Sequence, residues 1–121
     1  MATRSNIGIR EIDGTVNTIY CHWDGYPQYV GRLLLTHYTT ESQVRDLLDL
    51  ADVSELQATP QECVAYHRDR GELKAEPHTF APGSRVREND YAYVWDVTES
   101  RWYWCDDLEL KVLTQEDVVM F

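Results

Sequence analysis

The sequence predicts an α+β fold: an antiparallel β-sheet built from hairpins, with two consecutive helices packed on one face. Three observations carry this expectation. Residues 7–23 and 91–105 alternate apolar and polar side chains around short turn sequences, as hairpin strands do. Residues 27–51 space their apolar positions three and four apart, the period of a helix. The 121 residues carry no internal repeat, low-complexity tract or long linker, so 1–121 is expected to be a single domain.

The first hairpin turns at Asp13-Gly14, because glycine accepts the positive φ such turns need. A three-residue loop, Ile12 to Gly14, would set Ile7 opposite Ile19 and Ile9 opposite Asn17. Ile7, Ile9, Ile19, Cys21 and Trp23 then share one face, and Tyr20, His22 and Asp24 the other. A two-residue loop would scatter that apolar set. Asp24-Gly25 reads as the cap of a helix over 27–38, with Pro27 in its first turn and Val30, Leu33, Leu34 and His37 on one stripe. Thr40 and Gln43 form a capping box for a second helix, with Val44, Leu47, Leu48 and Ala51 on its stripe.

Residues 59–71 carry two signals. Thr59-Pro60-Gln61-Glu62 suits a helix start and Gly71 a stop, whereas Val64 and Tyr66 alternate like a strand. The strand is the reading taken. Residues 76–89, with Pro77, Pro82 and Gly83, read as a loop. Residues 91–97 and 101–105 form the second hairpin around Thr98-Glu99-Ser100, followed by a strand through Leu108, Leu110 and Val112 and a short tail from Thr114 to Phe121.

The formal charge of −10 is unevenly spread. Residues 1–40 hold three acids and three bases, and residues 41–121 hold 18 acids against 8 bases. One acidic block is Glu41, Asp46, Asp49, Asp52 and Glu55; the other runs from Glu88 through Asp106, Asp107 and Glu109 to Asp117. Such a surface repels nucleic acid and membrane headgroups and favours a basic protein. No stretch is long and apolar enough for a membrane span, and residues 1–10 lack the apolar run of a signal peptide, so a cytoplasmic protein is expected. Cys21, Cys63 and Cys105 are odd in number and widely spaced, which points to reduced thiols.

Residues 20–31 read Tyr-Cys-His-Trp-Asp-Gly-Tyr-Pro-Gln-Tyr-Val-Gly, the densest run of chemically capable side chains in the chain. Together with the opening Met-Ala-Thr-Arg-Ser-Asn-Ile, the Cys-His-Trp-Asp-Gly-Tyr-Pro run resembles a family of small proteins encoded by bacteriophages and prophages. The resemblance spans most of the chain and is strongest over residues 1–50. It implies a phage-encoded origin and brings no reaction, cofactor or site residue with it.

No catalytic residue is assigned. Catalysis would draw on Cys21, or on His22 oriented by Asp24, but Cys21 and His22 point to opposite faces of a strand and cannot pair. Asp24 as a helix cap is the preferred alternative to that pair. Cys63 and His67, four apart, would suit two metal ligands on a helix, yet paired Cys-x-x-Cys spacing is lacking, so no metal and no cofactor is expected. Arg68 and Arg70, with His22, are candidates for holding a phosphate or carboxylate, unless they pair with the chain's own acids. The function expected is binding: a phage accessory protein that inhibits a host protein, of an anti-CRISPR or anti-restriction type, through an acidic, aromatic surface. Asp46, Asp49, Asp52, Trp102, Trp104, Asp106 and Asp107 are its partner-binding candidates. The partner expected is a host protein with a basic surface, not nucleic acid or membrane, with self-association into a homo-oligomer also open. The alternatives are a small-molecule or nucleotide binder, or a small enzyme centred on Cys21 or His22/Asp24.

Overall fold

The computed structural model describes residues 2–107 and 109–119. Ser5–Arg10 (β1) pairs antiparallel with Val16–Cys21 (β2), with Ile7 opposite Ile19 and Ile9 opposite Asn17. The odd loop is the one formed. The Glu11 amide donates to the Thr15 carbonyl at 2.8 Å, and Gly14 takes φ +90°. Asp13 tightens the turn by accepting from the amide and hydroxyl of Thr15.

Tyr91–Asp96 (β6) and Arg101–Cys105 (β7) form the second hairpin, and β6 lies against β1. That pairing is parallel, with Ile7 beside Tyr93. Val53–Glu55 (β3) also runs parallel to β2, while Val64–Ala65 (β4), His78–Phe80 (β5) and Lys111–Val112 (β8) pair antiparallel. The order is β4-β3-β2-β1-β6-β7-β8, with β5 also on β2. The fold is therefore α+β, but the sheet is mixed rather than antiparallel throughout. The two hairpins join side by side through strands of the same direction, which hairpin signals alone do not specify.

Both helices lie on one face. A π-helical turn over Pro27–Gly31 runs into Arg32–His37 (α1), and Glu41–Leu48 (α2) follows. Thr40 and Gln43 make the capping box of α2. The cap of the first helix is a correction: Tyr26 stands at its N-cap with no side-chain bond, while Asp24 sits in a left-handed turn at φ +57°. Val30, Leu34, Val44 and Leu47 are buried against Ile7, Ile9, Ile19, Cys21, Tyr93 and Trp95. Leu33 and Leu48 are only half-buried at the edge of this core.

Three other segments differ from expectation. Residues 60–70 divide: Val64–Ala65 is strand, and Tyr66–Arg70 (α3) is a short helix closed by Gly71 at φ +70°. Loop 76–89 contributes β5, whose pairing to β2 a Pro- and Gly-rich composition conceals. The tail carries a 3-10 helix, Gln115–Val118, that buries Val118. Leu108, placed in the last strand by its alternation, and Phe121, placed in the tail, lie outside the described residues. A smaller apolar cluster, Val16, Val86, Ala92, Val94 and Cys105, covers part of the second sheet face.

This packing makes Leu34 and Thr40 unequal. Leu34→Ala, at a fully buried position, should cost about 2–5 kcal/mol. Thr40→Ala removes an exposed cap and should cost about 1 kcal/mol. Urea unfolding measures both, and equal losses would place the first helix in the wrong phase.

Candidate functional site

The Cys-His-Trp-Asp-Gly-Tyr-Pro run is where the chain leaves the end of β2, an interior strand, and turns toward the helices. Gly25 presses on the start of β1: a Cβ there would lie 2.9 Å from the Cβ of Ser5 and 3.0 Å from the backbone of Arg4. Its amide donates to the Thr3 carbonyl, and its carbonyl accepts from the Tyr93 hydroxyl at 2.6 Å. Only glycine fits so close an approach. Asp24 accepts from the Tyr26 hydroxyl at 3.3 Å and does not touch His22. Trp23, expected in the apolar set, is instead 43% exposed, with its ring edge-on to His22. The strand has ended at Cys21, so alternation no longer governs position 23.

The partner of His22 is Tyr20, whose hydroxyl lies 2.6 Å from Nδ1. Burial pushes the pKa of that phenol above the ordinary value, and the nearby Arg4 charge opposes the rise. Asp52 anchors the same residue from behind, its Oδ1 accepting the Tyr20 amide at 2.9 Å. The neighbouring strand supplies Ser54, which accepts from Arg70 Nη2 at 3.4 Å. The Arg70 guanidinium lies 5.1 Å from the centre of the Tyr66 ring. Two depressions, of about 310 and 240 Å³, meet at Tyr20 and Asp52. The first is bordered by His78, which is hydrogen-bonded to Glu88, and the second by Tyr66 and Glu72.

Of the residues singled out for a ligand, His22 and Arg70 lie in this region and Arg68 does not serve it. Arg68 is consumed by the carbonyls of Pro60, Gln61 and Cys63 and by Asp69. Arg4 and Ser54 were missed, and Tyr20 and Tyr66 are the neighbouring tyrosines that residue type alone did not single out. The signal lay in the hairpin register: Ser5 pairs with Cys21, so one step further brings Arg4 to His22.

The partner-binding set divides as well. Asp46 is exposed on α2 and Asp49 at its C-cap, and Asp106 and Asp107 are exposed beyond β7. Asp52 is half-buried and committed to the Tyr20 amide. Trp102 and Trp104 are core, 2% and 7% exposed, not surface anchors. Trp102 Nε1 donates to the Tyr38 carbonyl at 2.8 Å and Trp104 Nε1 to Asp117 at 3.3 Å. The hairpin register gathers Tyr91, Tyr93, Trp95, Trp102 and Trp104 on the face under the helices, leaving Tyr103, half-buried, as the hairpin's ring on the other.

All three cysteines are buried thiols. Burial pushes Cys21 up to about 12, so the thiolate a nucleophile needs is absent near neutrality. Cys63 is likewise raised, chiefly by burial, and Tyr38 packs beside it. His67 binds the Glu72 carbonyl instead of turning to Cys63. Among the described residues no group of three or more His, Cys, Asp or Glu is placed to hold a metal ion, and no helix is long and apolar enough to cross a membrane.

Native Cys21 should therefore resist iodoacetamide at neutral pH under conditions that fully label the urea-unfolded chain. The sign of its linkage is fixed. The folded pKa lies above the ordinary 9.0, so the stability from the neutral thiol is whole below 9.0 and is lost as pH rises toward about 12. Cys21→Ala should make alkaline unfolding less steep; an unchanged profile assigns that sensitivity elsewhere. No protein-family model matches the chain, and no curated protein or solved structure matches it either.

Proposed function

We propose that this protein works by binding: a phage-encoded accessory factor that occupies a basic surface on a host protein in the bacterial cytoplasm. An anti-CRISPR or anti-restriction role suits it, because enzymes that handle nucleic acid carry basic grooves that an acidic protein can cover. The phage origin rests on the resemblance of the Cys-His-Trp-Asp-Gly-Tyr-Pro run and the opening residues. The observation that supports the binding mode is the state of α2. Its one base, Arg45, is taken by Glu11 and Glu41, leaving Asp46 and Asp49 exposed with no ion-pair partner among the described residues. Fixed, unneutralised carboxylates steer a basic partner.

Trp23, exposed beside Asp24, replaces Trp102 and Trp104 as the aromatic anchor of this reading. Nothing favours a second copy of this chain as the partner, since like charge opposes it.

Capture from host lysate with the purified protein tests the reading. Binding of the captured partner should weaken steeply with salt, because exposed charges are screened within about 10 Å at 0.1 M. Asp46→Lys with Asp49→Lys should slow association, and Trp23→Ala should mainly speed dissociation. Equal binding at low and high salt, with the lysine variants unaffected, would sink the proposal.

A further inference from the structure

We propose that the second sheet face holds a phosphate dianion between Arg4 and Arg70, over the Tyr20–His22 pair. The inference does not rest on the partner-binding reading, since it uses other residues, although Trp23 of that reading packs against His22 at the margin of this site.

The argument begins with register. Continuing the β1–β2 pairing sets Arg4 beside His22, and the parallel pairing of Cys21 with Val53 sets His22 beside Ser54. Arg70 then reaches Ser54 from α3. The row Arg4, His22, Ser54 and Arg70 thus crosses three strands, spanning about 10 Å at ordinary strand spacing. Two guanidiniums facing inward from its ends can meet on one group of phosphate size.

Arg4 and Arg70 both keep their charge unneutralised among the described residues, as Arg32, Arg85 and Arg87 also do, but only these two adjoin the Tyr20–His22 pair. Arg10, Arg45, Arg68 and Arg101 are each paired with a carboxylate. Arg4 and Arg70 form no ion pair among the described residues. Arg4 lies near the Tyr20 phenol, and Arg70 is engaged by a hydroxyl and an aromatic ring. Both are exposed and keep donors to offer.

His22 completes the donor set. Its Nδ1 is held by the Tyr20 hydroxyl at 2.6 Å, and with the phenol as donor its Nε2–H stays available. Arg4, His22 and Arg70 bring these donors from three separate segments of the chain, which suits tetrahedral oxygens. A carboxylate is planar and is satisfied by a single guanidinium fork. Asp52, Glu72 and Glu88 border the adjoining depressions and disfavour a polyanion such as nucleic acid, so the phosphate is that of a small molecule, free or esterified.

The test is an NMR titration of the full chain, at matched ionic strength, with inorganic phosphate, adenosine 5′-monophosphate or acetate. The side-chain signals of His22, Arg4 and Arg70 should shift and saturate with both phosphates and barely respond to acetate. Tighter binding of the monophosphate would identify an ester as the ligand; equal binding would identify the free ion. Arg4→Met and Arg70→Met should each weaken phosphate binding roughly tenfold, as loss of a charge-assisted hydrogen bond does. Arg32→Gln, an exposed change of equal charge on α1, should not. Acetate matching phosphate, or Arg32→Gln weakening binding as much as the site variants, would overturn the assignment. If Arg4→Met unfolds, Arg70→Met at its exposed position decides alone.

Discussion

The rest of the molecule depends on the register of β1 between two neighbours. Residue 7 lies beside Ile19 on one side and Tyr93 on the other, and this alignment sends odd-numbered β1 residues to the helices and even-numbered ones to the second face. A slip of one position would exchange the two sets, taking Ile7 and Ile9 out of the core beneath the helices and putting Asn6 and Gly8 into it. The tight loop at Gly14 prevents that slip on the β2 side. Gly25 works at the other end, where its contact with Ser5 leaves no room for displacement.

The polar ends of the core aromatics hold the helical layer to the sheet. Tyr93 donates to the carbonyl of Gly25, Trp102 to that of Tyr38, and Tyr38 in turn to that of Gln57. Each bond satisfies a carbonyl where the chain leaves a regular element, so the rings contribute area and also settle orphaned backbone groups. The tyrosines and tryptophans are therefore spent largely inside. What remains outside is mostly charge, acidic around α2 and beyond β7 and cationic in one short row, with Trp23 as the exposed tryptophan.

Local patterns were legible in the sequence; pairings between distant segments were not. The hairpin at Asp13-Gly14, its register, the capping box at Thr40 and Gln43, and the hairpin around residues 98–100 all rest on chemistry within a few residues. The parallel junction of β1 with β6 has no local marker, and without it Trp102 and Trp104 looked half free. Asp24 was misread because a capping residue type before Pro27 is only a preference, and here the backbone is left-handed. Of the site, His22 and Arg70 could be named from residue type. Arg4 and Tyr66 could not, because what makes them neighbours is strand order, which crosses from residue 4 to residue 66.

The β1–β6 junction also shapes how the chain becomes a folded protein. Arg10 meets Asp96, a separation of 86 residues, so β1 leaves the ribosome long before its second neighbour exists. At typical elongation rates that interval is on the order of 4 to 17 seconds. Through it the N-terminal hairpin can form, but one edge of β1 stays open and Ile7 and Ile9 lack the ring of Tyr93. Contacts this distant in sequence slow folding, and an open apolar edge invites strands of other chains. The strand at the centre of the finished sheet is thus, during synthesis, its most vulnerable margin.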